Sequence, residues 1–188
     1  MVRNQIFHET LIPTLAKGMG VSRYCELGVY QGDTLNRVAM ALPPSALLVG
    51  VDTKAPAFLV AHVRFRQMTT ATYFARHAEK DAPFDMVFID ADHSAASVLH
   101  DFEGIWPHVV DDGLVLLHDG NPETVADTDP GYCGDGWRAI KHLTSLHEAA
   151  TLPFHPGLTF IRKRKLWGPA DAPATVRTGE DADALVLG

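Results

Sequence analysis

Cysteine is scarce in this chain, with two among 188 residues. Cys25 and Cys133 form no CxxC pair, so neither a structural zinc knot nor a disulfide framework is suggested. Cys25 lies in an apolar run and reads as a core residue. Long apolar runs are missing too. No window reaches the length of a membrane span, and Met1-Val-Arg-Asn-Gln is not followed by the apolar stretch of a secretory signal. Excess positive charge is also lacking, since the formal net charge is −7. Such a chain has no general attraction for nucleic acid or anionic membrane. The local basic run Arg162-Lys-Arg-Lys165 reads as the solvated end of a final strand. No internal repeat is present. These absences leave a cytoplasmic, ordinary globular protein as the expectation, with a small molecule as its partner.

What is present is an alternation of strands and helices. Residues 4 to 17 have helical spacing, with Ile6, Phe7, Leu11 and Leu15 on one side and Gly18 and Gly20 behind them. Tyr24-Cys-Glu-Leu is a short strand closed by Gly28. Residues 33 to 41 read as a helix stopped by Pro43-Pro44. Ala46 to Val51 is a continuous apolar run ending in Asp52, as expected of a strand buried on both faces. The unit then recurs. An alternating strand at Val63–Gln67 precedes a helix over 70 to 80. An apolar run Phe84–Ile89 ends in Asp90, and a helix comes next over 94 to 106. A run Gly113–Leu117 ends in His118-Asp119, succeeded by a helix over 136 to 148 and two short strands near 149 to 153 and 158 to 162. This order predicts a parallel sheet with helices on both faces. Ligands of such sheets bind at the carboxyl ends of the strands, where Asp52, Asp90 and Asp119 all fall. One domain over 1–165 is expected. The aperiodic Ala-, Asp- and Pro-rich stretch 166–188 reads as a disordered tail.

The first strand-to-helix turn is Glu26-Leu-Gly28-Val-Tyr-Gln-Gly32. Its glycines allow a tight turn and close approach to a ligand, although a plain βα turn would use them as well. The spacing is ExGxxxG rather than the GxGxxG of a dinucleotide fingerprint. A carboxylate at its head would repel pyrophosphate but can pair with an ammonium group. Asp52 can accept hydrogen bonds from ribose hydroxyls. Together the two positions suit a ligand with an amino-acid head and a ribose.

Neighbouring parallel strands lie roughly 5 Å apart, so Asp90-Ala-Asp-His93 and His118-Asp119 are expected to converge. Carboxylates with histidine can hold a divalent cation or accept a proton from a hydroxyl. The plainer alternative is that Asp90 and Asp119 merely cap the next helix or turn.

The ordered set Glu26–Gly32, Gly50-Val-Asp52, Phe84–His93 and Leu116–Gly120 resembles class I S-adenosylmethionine-dependent methyltransferases over about residues 20 to 163. Within them it resembles the small-molecule and sugar O-methyltransferases of macrolide and cephamycin pathways. The resemblance implies a doubly wound, Rossmann-like α/β sheet of seven strands, mostly parallel with an antiparallel last strand. It also implies S-adenosylmethionine as cofactor and transfer to the oxygen of a small hydroxylated acceptor. By resemblance, Glu26, Gly28 and Gly32 belong to the cofactor turn, with Glu26 and Gly28 near the methionine part. Asp52 holds the ribose and Asp90 borders the same site. Gln67-Met68-Thr69 faces adenine, though Met68 equally suits the core. Asp90 and Asp119 bind a divalent metal, and His93, three residues after Asp90, is the base. One departure concerns the metal. The sugar enzymes carry an acid just before the position of Asp119, where this chain has His118, which inclines the site towards metals softer than magnesium. Asp92 and Asn121 are the spare oxygen donors nearby. His155 is the other histidine near the sheet edge. The loop Asp127–Trp137 either lines the acceptor pocket or, at Trp137, starts a helix and joins the core. A homo-oligomer is compatible with the sequence. Two other functions stay open: a nucleotide-dependent oxidoreductase on a similar sheet, and a binding module without turnover.

Overall fold

The computed structural model describes residues 8–165. The expected tail 166–188 and the first residues of the expected leading helix therefore lie outside the described residues. Seven strands form one sheet: β1 Arg23–Leu27, β2 Leu47–Asp52, β3 Val63–Gln67, β4 Phe84–Ile89, β5 Val109–His118, β6 Glu148–Leu152 and β7 Leu158–Arg162. Their order is β3-β2-β1-β4-β5-β7-β6. The pairs β1–β2, β1–β4, β2–β3 and β4–β5 are parallel, while β7 runs antiparallel to both its neighbours. The expected doubly wound sheet with an antiparallel last strand is thus the one observed.

Period-two side-chain alternation divides the core. Cys25, Leu27, Val87, Ile89, Val115 and Leu117 face one layer, which is covered by α5 (Ala95–Ile105) and α6 (Gly136–Leu146). Tyr24, Leu48, Met86, Phe88 and Leu116 face the other, covered by α1 (His8–Gly18) and α2 (Asp33–Ala41). The central strands are buried on both sides, which is why they read as continuous apolar runs.

Two expectations are corrected. The helix over 70 to 80 is two helices, α3 (Thr70–Arg76) and α4 (Ala78–Asp81), separated at His77 with φ −131°. The break turns Asp81 under the edge strand β3. There the acid is fully buried and takes Arg64 Nη1 at 2.6 Å and Arg66 Nη2 at 3.0 Å. β5 begins at Val109, not Gly113, because Asp112 at φ 65° lets the strand pass a register shift opposite Phe84 and Met86. No helix among the described residues is long and apolar enough to cross a membrane.

The sheet reverses its winding between β1 and β4, and the turn after β1 is packed hard against the end of β4. Gly28, at φ +88°, has no room for a side chain. A Cβ there would lie 2.1 Å from the Asp90 carbonyl oxygen and 2.5 Å from Ala91 Cα. Both obstacles are backbone. Gly28→Ala is therefore expected to lower the unfolding free energy by about 2–4 kcal/mol, from positive-φ strain plus displacement of the β4 end. Urea unfolding of parent and variant measures it, and a loss below about 0.5 kcal/mol would show that the turn can move.

Candidate active site

The Gly28–Gly32 turn is fixed from below by Asp52, which ends β2. Its Oδ2 accepts the Val29 and Tyr30 amide N–H groups at 2.8 and 2.9 Å, and its Oδ1 accepts that of Lys54 at 2.9 Å. Burial favours the protonated acid, but these backbone donors prevail and hold the carboxyl below its ordinary range. Tyr30 keeps φ 48° and an exposed ring. Gly32, at φ 90°, precedes α2 and packs near Leu59 and Phe58.

A cleft of about 1010 Å³ opens above the carboxyl ends of β1, β2 and β4. Of the residues singled out in the sequence, Gly28, Asp52, Met68, Asp90, His93 and His118 line it. Met68 lines the cleft and also packs against the core beneath. Gly32 and Glu26 are not among the lining residues. Glu26 is 1% exposed and accepts the Tyr24 hydroxyl at 2.7 Å. Residues two apart on a strand share a face, so Tyr24 reaches it directly. The expected ammonium partner is thus a buried carboxyl bonded to Tyr24.

At the other end of the cleft the register Ile89↔Leu117 sets the ends of β4 and β5 side by side. Asp90 Oδ1 lies 3.2 Å from His118 Nδ1, which is 3.1 Å from Asp119 Oδ1. His93 Nδ1 lies 2.9 Å from Asp119 Oδ2, and His93 Nε2 lies 3.9 Å from Asp90 Oδ1. Asp119 is 7% exposed and sits at φ 62°, a conformation aspartate tolerates, which swings its carboxylate back over the histidines. Hydrogen bonding to Asp119 pushes His93 up to about 9, against the opposing effect of burial. Burial lowers His118, but Asp90 and Asp119 outweigh it and raise the ring to about 10. Burial likewise works against the Asp119 charge, and the two histidines overcome it, holding this carboxyl far below the usual range. The acids thus decide the protonation of His93, which the sequence alone left open.

This donor set fits a divalent cation. Asp90, His93 and Asp119 offer ligand atoms that all lie within 4.8 Å of one another. His118 Nδ1 faces both carboxylates, while its buried Nε2 has no partner among the described residues. Asp92 lines the cleft too, and its Oδ1 accepts the Ser94 amide at 2.9 Å. His155 lies elsewhere, 3.8 Å from Asp127. Trp137 neither lines the cleft nor joins the core clusters. It is half-buried, with the Arg138 guanidinium 4.8 Å from its ring centroid.

One participant had no usable sequence signal: His8, on α1, stacks edge-on against His118 with centroids 4.3 Å apart. The loop 127–137, singled out in the sequence as a whole, reaches the cluster at two places. The Tyr132 carbonyl meets His93 Nδ1. The Cys133 thiol is buried next to Asp119, and burial pushes it up to about 12.

The sequence profile of a methyltransferase-domain family matches residues 25–120. No curated protein matches the sequence significantly. Among solved structures, the chain resembles the O-methyltransferase TomG from Streptomyces achromogenes, involved in tomaymycin synthesis and crystallised with SAM. That match has a TM-score of 0.66 at 20% identity, over 84% of this chain and 79% of that one. An O-methyltransferase from Bacillus cereus in complex with SAH gives a TM-score of 0.64 at 16% identity, over 86% and 84%. MycE of the mycinamycin pathway, with Mg and SAH, gives 0.65 at 19% identity over 95% of this chain. This chain spans 55% of MycE. At these identities the structures establish the fold.

Glu26 generates a pH signature of its own. Burial raises its carboxyl from 4.5 to about 8, although the Tyr24 hydroxyl favours the charged form. In the unfolded chain it ionises near its ordinary value. Its contribution to stability is therefore complete below pH 4.5 and is lost as pH rises towards 8. Glu26→Gln cannot show that loss. Relative to the variant, the ligand-free parent is expected to weaken by about 2–4 kcal/mol between pH 5 and pH 8. Paired urea titrations at the two pH values test this, and parallel pH profiles would mean that Glu26 is ionised in the fold.

Proposed function

The chain belongs to the methyltransferase-domain family, and from that footing we propose that it transfers the methyl group of S-adenosylmethionine to an oxygen of a small hydroxylated acceptor, with a divalent cation assisting. One observation carries the reading. A single cleft joins the Gly28 turn, Asp52 and Met68 to the Asp90–His93–His118–Asp119 cluster. Asp52 offers its carboxylate rim to ribose hydroxyls while its inner lone pairs hold the turn. A methyl donor held along the cleft in this way would present its methyl group towards the cluster, whose base would deprotonate the acceptor hydroxyl.

The roles within the cluster derive from its hydrogen bonds. Asp119 Oδ2 and the Tyr132 carbonyl both face His93 Nδ1, which fixes the ring and leaves Nε2 as the nitrogen that accepts a proton once the ring is neutral. A divalent cation held by Asp90, Asp119 and His118 would supply positive charge that lowers the proton affinity of both His93 and the acceptor oxygen. With S-adenosylmethionine bound, which would supply the electrophilic methyl group and leave as the neutral thioether, His93 would remove the acceptor hydroxyl proton at Nε2 and free the oxygen for transfer. Most of the rate comes from holding the two reactants in this alignment. The imidazole donors suit manganese or another transition metal better than magnesium.

Replacing His93 by Ala is expected to lower turnover by about 10²–10⁴-fold. S-adenosylhomocysteine should bind parent and variant alike in calorimetric titration, and NAD should bind neither. Tight NAD binding without S-adenosylhomocysteine binding would turn the reading to an oxidoreductase. Undiminished turnover, measured as a one-methyl mass gain on a panel of sugar and phenolic acceptors, would remove His93 from the mechanism.

Chelation provides the second test. Excess EDTA is expected to abolish transfer, with Mn²⁺ restoring it more fully than Mg²⁺. Mn²⁺ should also raise the Tm of the parent and leave that of His118→Ala unchanged. Full activity in EDTA would make the cluster a metal-free acid–base site.

A further inference from the structure

His118 ends β5 two residues after Leu116, and residues two apart on a strand share a face. Leu116 and Phe88 both belong to the layer covered by α1 and α2, so the His118 ring lies on the α1 side of the sheet. There it meets two other rings. His8 is 4.3 Å away and Phe88 6.2 Å, centroid to centroid, and both cross it edge to face. Ile12 and Ala16, one and two turns further along α1 on the same face as His8, are fully buried and hold the helix in place. The two nitrogens of His118 have unequal surroundings. Nδ1 lies 3.2 Å from Asp90 Oδ1 and 3.1 Å from Asp119 Oδ1. Nε2 is buried and has no hydrogen-bond partner among the described residues.

An imidazole that binds a cation through Nδ1 carries its hydrogen on Nε2. Metal-binding histidines ordinarily donate that second N–H to an acceptor, which sets the ring's orientation and strengthens the ligand. A buried N–H without an acceptor bears the full penalty of its lost hydration. Phe88 brings no polar atom to His118. His8 brings two ring nitrogens. Its Nε2 is 4.0 Å from Glu9 Oε1, beyond hydrogen-bonding distance, so that contact does not tie the ring down. We infer that His8 is a positioning residue for the metal site, one of its ring nitrogens accepting the His118 Nε2–H when Nδ1 holds a divalent cation. This inference rests on the metal reading above. The last torsion of a histidine side chain is soft, so the His8 ring can turn to present a nitrogen while α1 stays docked. His8 neither lines the cleft nor belongs to the Asp90–His93–Asp119 group. It acts through His118, keeping Nδ1 aimed between the two carboxylates.

The test is calorimetric titration of Mn²⁺ alone into the metal-stripped parent and three variants. His8→Ala removes both ring and acceptor, and His8→Phe keeps a ring without nitrogen. Both are expected to bind Mn²⁺ about 10–100-fold more weakly than the parent. His8→Gln, whose side-chain carbonyl is an acceptor, should recover most of that loss. Affinity for S-adenosylhomocysteine, titrated without metal, should be the same in all four proteins. Should His8→Ala fail to fold, His8→Phe carries the same expectation. A residue that merely packs α1 against the sheet would be replaced by Phe better than by Gln. If His8→Phe binds Mn²⁺ like the parent, or if His8→Gln recovers nothing, the role of His8 is overturned and the metal reading stands. If the parent itself binds no Mn²⁺, the metal reading has failed and the role of His8 with it.

Discussion

The close packing of Gly28 against the Asp90 carbonyl is the contact on which the site depends. It lets the turn after β1 lie flush with the end of β4, and main-chain bonds fix both sides. Gly28 N–H donates to Val51 O at 2.9 Å, and Asp90 N–H donates to Leu27 O at 2.8 Å. Asp52 completes the arrangement by gathering the next two amides of the turn. The Asp52 end of the cleft and the Asp90 end are therefore set by one junction, at the point where the sheet reverses its winding.

Burial acts on several carboxyls around this junction with different outcomes. Asp119 stays ionised because two imidazoles face it. Glu26 keeps its proton because a tyrosine hydroxyl is too weak a partner to offset burial. Asp101 is shifted in the same direction as Glu26 with only a hydroxyl and a half-exposed histidine beside it. The same residue type thus serves as fixed charge or neutral hydrogen-bonding group according to its neighbours. Charge is concentrated at the end of the cleft where β4 and β5 meet.

Much of this was legible in the sequence. The apolar runs ending in Asp52, Asp90 and Asp119 marked both the strands and the edge on which function sits, because parallel strands are buried on both faces. The pairing of Asp90 with His118 came from strand adjacency. The direction of the Glu26 side chain was not legible, since it depends on Tyr24 lying two residues earlier on the same face. Nor was Asp101, whose surroundings are set by α3 packing across from α5. His8 approaches His118 only through the docking of α1, a long-range contact that no local periodicity records. The break at His77 was hidden because both halves of the segment have helical composition.

The segment between β5 and α6 is attached to the site through main-chain atoms. Gly136 N–H donates to the His93 carbonyl at 2.8 Å, and a side chain on Gly134 would come within 2.3 Å of the same oxygen. Its outward side chains, Val125 and Tyr132 among them, are exposed and take no part in that latch. A loop held in this way is a replaceable cassette. Its outer residues can change while the backbone anchor keeps His93 in register with Asp119. In this fold, variation and constancy are assigned to different atoms of the same loop.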